Sequence, residues 1–121
     1  MVKVWEENLI LQILKIIAAI ATIATGALSL LAPQSVFGFT GLAAPGPRGI
    51  TEIRAVLGGL FIGLGLAPFI LREPATYRML GVAYLAIALV RLVSLFVDKS
   101  FEQSNYISLA VEIAFGIVLM L

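Results

Sequence analysis

The sequence predicts an all-α fold: an integral membrane four-helix bundle, up-down-up-down, with both termini on the same side. Three observations predict it. Hydrophobic residues make up 61% of the 121 and charged residues only 12%, against about 45–50% and about 25% in an ordinary soluble domain. A chain this short leaves much of its surface outside any core, and a surface so apolar calls for lipid. The apolar residues also fall into four long runs. Finally, the runs lack the alternation of membrane-barrel strands. With no water to bond it, their backbone must close on itself as helix.

The elements follow in order within a single domain, residues 1–121. The first run, about 9–32, ends at Pro33. Ahead of it Trp5 suits the interface, and Asn8, Gln12 and Lys15 recur at helical spacing, with Lys15 able to snorkel. Glu6 and Glu7 beside Lys3, and the length of the apolar stretch, argue against a cleaved signal peptide. The second run, about 50–71, is followed by a tight Arg72-Glu73-Pro74 turn, and the third, about 76–97, ends at Asp98 and Lys99. The fourth, about 105–121, is a little short of the roughly 20 residues a bilayer core needs. The connection Pro33 to Gly49 carries Val36, Phe37, Phe39 and Leu42. A loop this apolar is expected to lie in the interface as a simple turn, or over the bundle as a lid. Lys3, Lys15, Arg72 and Arg78 against Arg48 and Lys99 favour cytoplasmic termini, although counting Arg54 and Arg91 evens the two sides.

There is no cysteine and no histidine. Disulfides, thiolate chemistry, the usual zinc sites and histidine-ligated haem are excluded, and no metal or cofactor is expected. A net charge of +1 gives no field for nucleic acid.

Helices in lipid associate by close approach and polar contact. On the second helix Gly59 and Gly63 form a G-x-x-x-G pair that Ala55 extends, with Gly58 and Gly65 about half a turn away. The expected partner of the stripe is the small-residue face Ala18, Thr22 and Gly26 of the first helix, or else a second copy of the chain.

Four ionisable residues lie inside the runs: Glu52, Arg54, Arg91 and Glu112. Such groups cost roughly 2.5–3.5 kcal/mol to insert and raise a functional hypothesis by default. Arg91 and Glu112 are placed symmetrically about the connection between the third and fourth helices, each roughly 10 Å from the surface at about 1.5 Å per residue. Tyr77, Tyr84, Arg91 and Asp98 follow at seven-residue steps on nearly one face, and Asn105, Ser108 and Glu112 share a face of the fourth helix. Glu52 sits above the Ala55, Gly59, Gly63 stripe and Arg54 points the other way. The expected picture is an arginine–carboxylate cluster in the outer half of the bundle, with Arg91 held by Glu112 alone or by Glu112 and Glu52 together. Such a cluster either locks helix register or lines a pocket.

The stretch Thr51-Glu52-Ile53-Arg54-Ala55-Val56-Leu57-Gly58-Gly59 resembles the T-E-x-R-A-x-x-G-G signature of a bacterial family of small four-helix membrane proteins of unknown function. Arg91 and Glu112 match its third- and fourth-helix positions. The resemblance covers nearly the whole chain, and the family is distantly similar to the DoxX-like membrane proteins. It implies the four-helix fold and a bacterial inner-membrane location, and no activity.

Three functions remain in play. The first is binding of a membrane lipid or small amphiphile in an outer-leaflet pocket lined by Glu52, Arg54, Tyr84, Arg91 and Glu112. The second is an accessory or assembly subunit of a larger membrane complex, or a homo-oligomer. The third is an intramembrane enzyme with Glu112 or Glu52 as acid–base. It lacks any nucleophile elbow, metal motif or phosphate loop.

Overall fold

The computed structural model describes residues 2–121, with side chains from Asn8 onward. The interfacial role expected of Trp5, and the charges of Lys3, Glu6 and Glu7, fall outside the described side chains. Helix α1 is Val2–Leu31. A 3-10 turn, Pro33–Val36, and the single-turn helix α2, Phe37–Thr40, follow. Gly41 closes α2 at φ 74, its N–H reaching Phe37 O at 2.9 Å. This left-handed position suits glycine. A continuous rod then runs through α3 (Pro47–Glu52), a π segment (Ile53–Leu60) and α4 (Phe61–Leu71). Helix α5 is Pro74–Val97 and α6 is Gln103–Met120. Among the described residues there is no strand.

Two boundaries differ from expectation for one reason. The sequence places Pro47 and Pro74 in turns, yet each opens a helix, after an extended Gly46 and an extended Glu73. Proline lacks the N–H that the first helical turn leaves unbonded anyway, and its fixed φ suits that position. The connection after Pro33 is likewise more ordered than a plain loop, with Pro33 and Val36 buried.

Four helices are long and apolar enough to cross a bilayer: Asn8–Leu31, Pro47–Leu71, Pro74–Val97 and Gln103–Met120. This is the build of a multi-pass membrane protein. Leu31, Ile70, Val97 and Phe96 are among many large apolar side chains left exposed, a surface far too apolar for water.

The chain divides into two compact units, Ala19–Arg72 and Met1–Ala18 with Glu73–Leu121. In the first, α1 runs antiparallel to the rod. Each helix offers glycines that receive aliphatic side chains from the other: Gly26 faces Ile62, Gly58 faces Leu30, and Gly65 faces Ile23. A Cβ on Gly26 would stand 2.7 Å from Gly58 O, and one on Gly65 would stand 2.8 Å from Ala19 O. The α1 face is thus the small-residue face containing Thr22, Gly26 and Ser29, all buried. On the rod, the contacts to α1 run through Gly58 and Gly65. Gly63 has nothing within 4 Å of a Cβ position, Gly59 only its own helix at 3.9 Å, and Ala55 is exposed. Small against large fills space, whereas small against small leaves a void unless the backbones come closer still.

In the second unit α5 and α6 form an antiparallel hairpin. Gly81 abuts Leu119 and Met120, Gly116 abuts Leu85, and Arg91 meets Glu112. The Tyr84 ring stands edge-on to Phe115 with centroids 5.5 Å apart. Leu80, Ala88, Leu95 and Leu119 complete the buried set.

Candidate functional site

The ionic centre of the hairpin is built from positions that mirror each other across its turn. Arg91 lies six residues before the end of α5, and Glu112 lies nine residues into α6. In an antiparallel pair these reach one level. The guanidinium engages the carboxylate side-on. Arg91 Nε donates to Glu112 Oε1 at 2.8 Å and Oε2 at 3.0 Å, and Nη2 donates to Oε2 at 2.7 Å. Two parallel donors on one carboxylate give a strong, directional ion pair. The side chains are 30% and 10% exposed, so the carboxylate lies deeper than the cation.

A second layer ties the pair to the turn. Arg91 Nη1 donates to Asn105 Oδ1 at 2.7 Å, and Asn105 Nδ2 donates to Ser100 O at 3.1 Å and Ser100 Oγ at 3.0 Å. Asn105 can do both because an amide accepts on one atom and donates from the other. The chain Glu112, Arg91, Asn105, Ser100 therefore runs from the buried face of α6 to the connection. Of Arg91's five N–H groups, three are engaged, and one on each terminal nitrogen has no partner among the described residues.

Beside this chain lies an open cleft of about 600 Å³, lined by Ala86, Ile87, Val90, Arg91, Ser94, Asp98, Ser100 and Asn105. Its lining is graded. Ala86, Ile87 and Val90 lie towards the middle of α5, and the polar residues sit towards the α5–α6 connection.

Tyr84 is buried and packs against Phe115, so its ring serves contact between α5 and α6. Glu52 lies in the Ala19–Arg72 unit, exposed and ion-paired with Arg48 one helical turn earlier. The i,i+4 spacing of Arg48 and Glu52 was the available signal for that pair. Arg54 is exposed on the π segment. Ser94 and Ser100 also line the cleft, beyond the residues that the sequence singles out. Ser94 falls one turn beyond Arg91, but Ser100 lies in the connection, where no periodicity applies.

A family model described as a domain of unknown function, DUF4345, matches residues 10–121. The chain belongs to the DUF4345 family. No curated protein and no solved structure matches it. DUF4345 membership carries no activity, so the function of this DUF4345 protein is argued from the cleft and the ion pair.

Proposed function

We propose that this small membrane protein binds a membrane lipid or small amphiphile in the cleft at the connection end of α5 and α6. The observation that carries the reading is the grading of the cleft along α5. Apolar residues lie towards the helix middle, and Arg91, Ser94, Asp98, Ser100 and Asn105 lie towards its end. An amphiphile in a bilayer has the same polarity order along the same axis. Arg91 supplies two unengaged N–H groups, and its charge is already matched by Glu112, so the site can exist empty without an unpaired cation. With the C-terminus cytoplasmic, the side that Lys3, Lys15, Arg72 and Arg78 favour over Arg48 and Lys99, the cleft opens in the outer leaflet. The reading needs Arg91 and its partners, and neither Glu52, which is ion-paired to Arg48, nor Arg54.

Native mass spectrometry of protein released from lipid nanodiscs tests it. Wild type should retain lipid. Ser94→Leu, which narrows the cleft and removes no partner of the ion pair, should retain much less at unchanged thermal stability. Equal retention by the two would remove the proposal.

A second reading, an accessory subunit or homo-oligomer, draws on Ala55, Gly59 and Gly63, a small-residue stripe on which Ala55 is exposed and no other helix comes within 4 Å of a Cβ position at either glycine. Sizing after gentle solubilisation checks it, and a lone monomer would count against it. The acid–base reading has less behind it, since both oxygens of Glu112 accept from Arg91.

A further inference from the structure

Asp98 occupies a position that the fold itself does not reward. It is the C-cap of α5, with φ −93 and its N–H bonded to Ser94 O. The carbonyl end of a 24-residue helix carries partial negative charge, and a carboxylate there is unfavourable. A nearby cation would offset this, yet among the described residues no lysine or arginine pairs with it: the two ion pairs are Arg48–Glu52 and Arg91–Glu112. Lys99, next in the chain, does not bond it. Asp98 nevertheless lines the same cleft as Arg91.

The charge of the cleft follows. Arg91 is cancelled by Glu112, so the uncompensated charge lining the cleft is the Asp98 carboxylate. A purely anionic headgroup would meet that carboxylate and a cation already satisfied. A headgroup carrying both signs fits better. Its phosphate oxygens can accept from the two unengaged N–H groups of Arg91, and its ammonium can donate to Asp98. Arg91 reaches towards the connection, bonded to Asn105, which is held to Ser100, so both recognition groups belong to the polar end of the cleft.

We infer that the cleft selects an aminophospholipid, a lipid whose phosphate diester carries a primary ammonium, with Asp98 as the residue that reads the amine. This rests on the amphiphile reading above. The test is native mass spectrometry from nanodiscs holding equal amounts of phosphatidylethanolamine and phosphatidylglycerol with identical acyl chains. Wild type should be enriched in the amine lipid about fivefold, the scale of one exposed ion pair. Asp98→Asn should bring the ratio to about one by lowering retention of the amine lipid, while thermal stability stays near wild type, because Asp98 is exposed and in no ion pair. Equal retention of the two lipids by wild type, or an enrichment that survives Asp98→Asn, would overturn the inference and leave the amphiphile reading standing. Retention of neither lipid above the Ser94→Leu level would overturn both.

Discussion

The two helix pairs of this protein hold together in different ways. Between α1 and the rod, the contacts are glycine against aliphatic: Gly26 with Ile62, Gly58 with Leu30, Gly65 with Ile23. No charged side chain takes part in them. Between α5 and α6, glycine contacts at Gly81 and Gly116 are joined by an ion pair, an amide and an aromatic edge contact. In lipid the hydrophobic effect does not drive helices together, so close approach and polar bonds must do so. A pair held by close approach alone has no need of a charge inside the membrane. A pair that keeps one, at an insertion cost of roughly 2.5–3.5 kcal/mol per group, has a different reason for it. Here the charge borders the cleft.

The largest effect should follow from breaking the ion pair on one side. Arg91→Ala leaves Glu112 buried without its partner and should destabilise the protein by about 3–5 kcal/mol, measured by denaturant titration in detergent. Replacing both partners, Arg91→Met with Glu112→Leu, should recover most of that loss, since a well-filled apolar pair of similar volume is often no less stable. The double variant should still bind less lipid. If it is as unstable as the single variant, the pair is needed for the fold itself, and the contrast between the two helix pairs disappears.

Next comes the glycine-held pair. Gly65→Val puts a branched side chain where a Cβ already stands 2.8 Å from Ala19 O and 2.6 Å from the Ile23 side chain. Backbone cannot step aside as a side chain can, and a loss of about 1–3 kcal/mol is expected. Gly116→Val, the same change in the hairpin, is a softer case. Its nearest neighbours are the Leu85 Cδ2 and Cγ atoms, with backbone only at 3.3 Å, so a smaller loss by the same titration would show that the hairpin relies less on backbone approach. Smaller again is Asn105→Ala, which removes the bridge from Arg91 to Ser100. Polar contacts between membrane helices average about 0.6 kcal/mol, and a loss near that size is expected.

The same contrast explains what was legible in the sequence. Four apolar runs state four helices, and the Arg91–Glu112 pair could be read because an antiparallel hairpin brings together positions equidistant from its turn. Register follows from counting. The glycine contacts could not be read so simply. Gly59 and Gly63 at a four-residue step, and Gly58 and Gly65 at a seven-residue step, each lie on one helix face. Which face meets α1 depends on where Ile62, Leu30 and Ile23 find room. The π segment at Ile53–Leu60, with its i→i+5 bonds, has no sequence pattern of its own. Glu52 pairs with Arg48 one turn earlier, a partner that the i,i+4 spacing of the two residues offers.

The smallest change in the folded chain is expected at Gly63, and it is the most discriminating. Gly63 sits inside α4 with nothing within 4 Å of a Cβ position. Gly63→Ala therefore adds a methyl group to open space and removes a residue that weakens helices by about 0.8–1.0 kcal/mol in water. In a monomer, unfolding should be unchanged or slightly harder. If Ala55, Gly59 and Gly63 form a seam with a second copy or another subunit, the methyl group would sit where two backbones approach, and association measured by sizing in mild detergent should weaken while the monomer stays intact. A stability gain with unchanged sizing would mean that the stripe faces lipid. Gly58 and Gly65 would then be the glycines that matter for helix contact.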